Sequence, residues 1–244
     1  MIISENWLRE WVDFDLDFVT LADRLTAAGL EAGALALVPR VSEEVIAARI
    51  THLRPHPYAA SLSLCEVDSG SGSVIQVVCG AANARAGMVA PLAMPGAILP
   101  DGSVIRPTTI RNKVSTGMLC SGAELGIDDS VSGLLDLDPS LVPGTSLNAH
   151  LDLGDQLLEV DLTPNRGDCL SLLGIAREAA VVANGRLKIP SLPRVRARSK
   201  LRREVELACP AECPRYMGRI IEGLDTTSRS PDWIRERLRR CGIR

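Results

Sequence analysis

The spacing of apolar and polar positions changes character several times along the chain, and each change predicts a different element. Between residues 4 and 29 it is helical. Trp7, Leu8 and Trp11 fall on one side of a short helix with Ser4 as its cap. Leu21, Leu25 and Ala28 fall on one side of a second, with Thr20 as its cap and Gly29 as its stop. Neither helix is long enough to stand alone, so both require a partner from later in the chain. From about residue 45 the pattern turns β-rich. Apolar runs at 45–53, 62–67, 74–78, 88–94 and 134–137 are separated by Ser-Gly and Pro-Asp-Gly turns at 69–72 and 99–102. About five strands in this span fit a small OB-type barrel and equally a sandwich. Past residue 150, Leu158, Val160 and Leu162 alternate as a strand that Pro164 ends. Asp168 stands at the expected cap of a helix carrying Leu170, Leu173, Ile175 and Ala176. Residues 190–193 read as a linker, 205–207 and 216–221 as strands, and 231–240 as a helix capped by Ser230 with Pro231 at its first position.

Composition narrows this picture. Hydrophobic residues make up 46% and aromatics only 3%, so any core must be aliphatic. The net charge of −3 gives no bulk attraction to nucleic acid. Its distribution is uneven: residues 1–38 carry 2 basic and 7 acidic groups, whereas residues 194–244 carry 14 and 7. The basic run Arg194, Arg196, Arg198, Lys200, Arg202 and Arg203 reads best as a solvated linker, with a nucleic-acid grip as the alternative. Seven cysteines contain no CxxC pair. Cys209 and Cys213 lack the second pair that zinc requires, and free thiols in a reducing compartment are the plain reading. The N-terminus offers neither a basic n-region nor a long apolar run, so no signal peptide or membrane span is expected. No Gly-x-Ser-x-Gly elbow is present, and the acidic pairs Asp128-Asp129 and Asp152 with Asp155 read as turn and cap residues. No catalytic and no metal-binding residue is assigned.

Three segments carry candidate binding chemistry, each with a structural alternative. His56-Pro57 is a rigid corner, because Pro57 keeps His56 out of the helical region. The Gly- and Ala-rich loop 79–87 lets a phosphate or sugar approach its backbone, with Asn83 and Arg85 as donors, although Asn83 can equally cap its own turn. In the segment 110–126, Arg111 and Lys113 share a face if the chain is extended and would straddle a phosphate track. Ser121 and Glu124 fit a capping box, which gives Ser121 a structural role beside a binding one.

The wording of these segments is more specific than their physics. Trp7-Leu8-Arg9-Glu10-Trp11, Gly117-Met118-Leu119-Cys120-Ser121, Glu124-Leu125-Gly126 and Thr163-Pro164-Asn165-Arg166-Gly167-Asp168-Cys169-Leu170 together resemble the N-terminal part of bacterial phenylalanyl–tRNA synthetase beta chains. The loop 79–85 resembles the Cys-Gly-Ala-x-Asn-x-Arg segment of that family's tRNA-binding barrel. At residue 56 the family has His-Pro-Asn-Ala-Asp-x-Leu, often with Lys next; here Tyr58, Ala60 and Ser61 replace the Asn, the Asp and the Lys. The resemblance implies an α+β, multidomain chain. Residues 1–38 and 151–190 would form one split α/β domain, interrupted by an OB-type β-barrel at 39–150 that binds tRNA. A basic linker at 191–203 and the beginning of an editing-type α/β domain at 204–244 would follow.

The same resemblance implies tRNA contacts at His56, Asn83, Arg85, Arg111, Lys113 and Ser121. It implies a cytoplasmic enzyme of two alpha and two beta chains, with phenylalanine and ATP handled by the alpha chain. ATP and magnesium are implied for the complete enzyme, and no cofactor for this segment. Two other readings remain open at this stage: a stand-alone tRNA-binding protein with the same barrel, and an assembly module without RNA contact.

Overall fold

The computed structural model describes residues 1–128 and 133–243, apart from the side chains of Ala34 and Leu35. Asp129 and Arg244 lie outside these described residues. The protein is a mixed α/β chain with several antiparallel sheets. The leading segment supplies β1 (Ile2–Ser4), α1 (Glu5–Arg9), β2 (Val12–Asp13), α2 (Phe18–Ala27) and β3 (Glu31–Val38). The Ser4 side chain caps α1, accepting from the Trp7 N–H at 3.2 Å. Asp17, not Thr20, caps α2; its carboxylate accepts from both the backbone N–H and the hydroxyl of Thr20. A carboxylate three residues before the bonded N–H outcompetes a hydroxyl one turn further in.

Both leading helices find the later partner that their length demanded. A strand at Asp155–Asp161 lies between β1 and β3 as the centre of a three-stranded antiparallel sheet. Leu8, Phe18, Leu21, Leu25 and Leu30 share one buried core with Leu158, Val160, Ile175, Ala176 and Ala179. Each fully buried Leu or Phe there contributes about 1.5–3 kcal/mol, which two short helices could not obtain from each other.

Between these two stretches stands a five-stranded antiparallel sheet. Its strands are β4 (Val45–His56), β5 (Ala59–Asp68), β6 (Val74–Cys79), β7 (Val89–Ala93) and, after a separate two-stranded hairpin of β8 (Thr108–Ile110) and β9 (Lys113–Ser115), β10 (Met118–Leu119). The order is β10-β7-β4-β5-β6. Period-2 alternation sends Val45, Ala47, Val89 and Ala93 to one core, with Leu125, Leu137 and Leu147. Ala48, Ile50, Ala90 and Leu92 go to the other, with Val67, Val77 and Leu119. Every residue of β7 is buried as a result.

The segment after β9 reaches the far edge of this sheet. Thr116 donates its N–H to the Gln76 carbonyl at 2.9 Å, and the Gln76 side chain donates to the Val114 carbonyl at 2.7 Å. Gly117 then passes so close to β7 that a Cβ would stand 2.8 Å from the Ala93 carbonyl oxygen. The strand ladder among the described residues nevertheless does not close into a barrel.

The Thr163–Leu170 motif differs in detail from its sequence reading. Pro164–Cys169 forms a 3-10 helix, and Asp168 pairs with Arg166 rather than capping. The cap of the next helix, α3 (Leu172–Val182), is Ser171, which accepts from Gly174 N–H at 3.0 Å. A Cβ at Gly174 would fall 2.0 Å from the Asp168 carbonyl oxygen, so glycine is what lets the 3-10 turn fold onto the helix. The last helix, α4 (Asp232–Arg240), has Pro231 at its cap position and no side-chain capping bond, so Ser230 does not serve.

By compactness the chain divides into 1–189 with 231–244, and 190–230. In the first unit α4 packs on residues 138–155: Asp232 meets His150 at 2.9 Å, and buried Arg240 meets Asp155 at 3.0 Å. In the second unit the runs 205–207 and 216–221 form no strand, because neither finds a ladder partner. No helix among the described residues is long and apolar enough to cross a membrane.

Candidate nucleic-acid interface

The tips of the β4–β5 and β8–β9 hairpins meet at one end of the five-stranded sheet, and β9 runs beside the end of β6. The β4–β5 hairpin closes over Pro57-Tyr58, with His56 opposite Ala59. The Tyr58 N–H donates to His56 Nδ1 at 3.1 Å, which leaves Nε2 to carry the ring proton and face the Ile110 carbonyl at 3.3 Å. That contact ties the β4–β5 tip to the β8–β9 hairpin. Val78 N–H donates to Ser115 Oγ at 3.0 Å, so β9 also lies along the end of β6, where the loop of Asn83 and Arg85 departs.

The structure divides the six predicted contact residues into two groups. His56, Asn83 and Ser121 hold the fold. His56 is only 4% exposed, with both ring nitrogens engaged as above. The Asn83 amide clasps the backbone of Leu134, donating to its carbonyl at 2.9 Å and accepting its N–H at 2.8 Å. Ser121 and Glu124 form the predicted capping box, Glu124 N–H to Ser121 Oγ at 3.2 Å and Ser121 N–H to the Glu124 carboxylate at 2.7 Å. The box closes a turn, however, and not a helix.

The cations form the other group. Arg85 is exposed and pairs with Asp136 at 2.8 Å, an interaction worth at most about 1 kcal/mol at such a surface. Arg111 and Lys113 have no ion-pair partner among the described residues. They do not share a face of an extended strand as the sequence suggests. Ile110 pairs with Lys113, so Arg111-Asn112 is a two-residue turn, and its φ values of 47° and 64° are those of a mirror-image hairpin turn. Arg111 is therefore at the tip and Lys113 at the start of the returning strand.

Sequence reading missed two neighbours of this tip, Arg54 and Tyr58, both exposed. Its one available signal was the placement of acids. Residues 45–65 contain Arg49 and Arg54 and no Asp or Glu, and residues 102–123 contain Arg106, Arg111 and Lys113 and none either. The His56–Ile110 contact joins these two acid-free stretches, which brings the hairpins of Arg54 and of Arg111 and Lys113 together.

Elsewhere the arrangement offers little chemistry. The only trio of potential metal ligands found among the described residues is Asp168, Cys169 and Glu178. Arg166 already sits among them, 3.2 Å from Asp168, 2.9 Å from Glu178 and 3.1 Å from the Cys169 sulfur. Cys209 and Cys213 are exposed free thiols, and burial pushes the Cys120 thiol up to about 12, leaving it unreactive.

Residues 45–146, the five-stranded sheet with its hairpin, match the family model described as a putative tRNA binding domain. The class is thus that of chains built around a tRNA-binding-type domain. Over its whole length the chain is 48% identical to the phenylalanine–tRNA ligase beta subunit of Nitrosococcus oceani and 46% to that of Methylococcus capsulatus. It is 40% identical to that of Haemophilus ducreyi. The chain spans 31% of the length of each of these relatives. Along its whole length it is thus similar to phenylalanine–tRNA ligase beta subunits.

Proposed function

We propose that this chain is the N-terminal, tRNA-binding part of a phenylalanine–tRNA ligase beta subunit. In this reading the 39–150 domain helps hold tRNA for the ATP-dependent attachment of phenylalanine, which is completed with an alpha subunit in the cytoplasm. The chain itself performs no catalytic step and binds no cofactor; ATP and magnesium belong to the complete enzyme. The observation that carries the reading is the end of the sheet at which Arg54, Arg111 and Lys113 stand without an ion-pair partner among the described residues, within a matched tRNA-binding domain. Lys and Arg at such a tip neutralise phosphates and release counterions, which supplies sequence-independent affinity.

The finer architecture is part of the proposal. The five-stranded sheet is read as an OB-type barrel whose edges the Thr116–Gln76 bond brings together. Residues 1–38 and 151–190 are read as one split domain, 191–203 as a linker and 204–244 as the beginning of an editing-type domain.

The test is binding of purified chain to tRNA at low and moderate salt, with and without an alpha subunit. Salt-sensitive binding by the chain alone is expected, and Lys113→Ala should flatten the slope of log K against log salt by about one. An unchanged slope removes Lys113 from the interface. A second reading, an assembly module, is favoured by the internal engagement of His56, Asn83 and Ser121. It predicts association with an alpha subunit and no affinity for tRNA.

A further inference from the structure

Tyr58 is the only Phe, Trp or Tyr in residues 39–150. In an aliphatic domain the default place for a lone aromatic ring is the core, where it would bury on the order of 150–250 Å². Tyr58 is instead 66% exposed at the tip of the β4–β5 hairpin. It is also held in place. Pro57 restricts the turn, the Tyr58 N–H is fixed to His56 Nδ1, and the His56 ring stands edge-on to the Tyr58 ring, 6.2 Å between centroids at 68°. The His56 ring is in turn tied to the β8–β9 hairpin through Ile110. A buried histidine thus acts as the bracket for a displayed aromatic.

The surroundings give that ring a partner. Arg54 lies four residues before it on β4, and Arg111 and Lys113 flank the Ile110 carbonyl that His56 reaches. Residues 45–65 and 102–123 hold no Asp or Glu, and the two carboxylates of the β4–β5 hairpin, Glu66 and Asp68, pair in register with His52 and Arg49, away from the tip. An exposed aromatic ring on a hairpin tip, with Arg54 on the same hairpin and Arg111 and Lys113 on the hairpin tied to it, offers the residue types that stack an unpaired base and follow its backbone phosphates. A base-paired duplex keeps its internal base faces stacked and along its length offers the ring sugars, phosphates and base edges.

We infer that Tyr58, with Arg54, Arg111 and Lys113, forms a stacking platform for an unpaired nucleotide of RNA. The inference rests on the tRNA-binding reading and specifies which feature of the RNA this end of the domain takes. Tyr58 here occupies a place where the chain departs from its resembled pattern, so the platform is a property of this sequence.

The test uses the full 244-residue chain with three probes: a short single-stranded RNA, a blunt RNA duplex of equal length, and tRNA. Tyr58→Ala should weaken single-strand binding by about tenfold and leave duplex binding within about twofold. Tyr58→Phe should keep single-strand affinity, since stacking needs the ring and not the hydroxyl. Tyr58 is exposed, so Tyr58→Ala should unfold at the same urea concentration as the parent chain. Equal losses on single strand and duplex, or no loss on the single strand, overturn the platform. If tRNA binds and Tyr58→Ala changes nothing, the platform fails while the tRNA reading stands. If single strands bind through Tyr58 and tRNA does not, the tRNA reading fails while the platform stands. Absence of binding to all three probes overturns both.

Discussion

Asn83 illustrates how a residue suited to contact RNA can be occupied by the fold. Its amide presents one donor and one acceptor to the backbone of Leu134, reproducing a strand-like pair between the 80–87 loop and the segment entering Leu137. Removing it leaves an N–H and a carbonyl of Leu134 without these partners. Asn83→Ala should therefore lower stability by about 1–2 kcal/mol, seen as a fall in urea midpoint with an unchanged slope. Its RNA affinity at low urea should stay near that of the parent chain; a loss of affinity in the fully folded variant would restore Asn83 to the interface. The sequence permitted both roles for Asn83, because the deciding partner is 51 residues away and belongs to no recognisable motif. Ser121 was easier to read, since its partner Glu124 lies three residues on and makes a local pattern. Tyr58 looked like a lost polar contact in the sequence and acquires meaning only from its neighbours in space.

At the level of elements, the β8–β9 hairpin sets local preference against charge. Its two turn residues need positive φ, which Asn and Gly adopt readily and Arg does not; a left-handed conformation costs an ordinary residue about 1–2 kcal/mol. Arg111 sits there nonetheless. The double variant Arg111→Asn, Asn112→Gly, carrying the preferred turn pair, should raise stability by about 1 kcal/mol and weaken RNA binding. Greater stability with unchanged affinity would mean that Arg111 has no part in binding. The hairpin also marks where sequence reading went astray. Arg111 and Lys113 share a face only if the backbone stays extended, and no Gly or Pro announced the turn between them. Elements announced by local chemistry were legible: the Ser4 cap, the apolar alternation of β4 to β7, and the stop at Pro164. Caps with two nearby candidates were not, since Asp17 and Thr20, or Asp168 and Ser171, differ only in where the helix actually starts.

Across the whole molecule, the sharing of one core by residues 3–30 and 158–179 was legible, because two short amphipathic helices without a partner require one. The docking of α4 was not, since its residues read as part of a further domain that begins after the 191–203 linker, whereas they pack with 1–189. Its seat is polar and buried. Asp232 accepts from the Asp138 N–H at 2.8 Å and pairs with His150 at 2.9 Å, while Arg240 reaches Asp155, itself bonded to Ser4. Burial pushes the Asp232 carboxyl up, but the hydrogen bonds from His150 and the Asp138 N–H and the charges of His150 and Arg235 outweigh it, so its pKa lies below the ordinary 3.8. A carboxylate with a depressed folded-state pKa contributes its full stability above its unfolded value and loses it as pH falls through the folded one. The seat of α4 should thus hold from neutrality down to about pH 4 and weaken below it. Trp233, exposed on α4 and within cation–π range of Arg237, gives an optical report of that change. In Asp232→Asn, which cannot ionise, the Trp233 signal should lose this acid-dependent step and the chain should be less stable at neutral pH. An acid transition of the same size and midpoint in the variant would place the pH dependence in other carboxylates, with Asp155 beside Arg240 the next to replace.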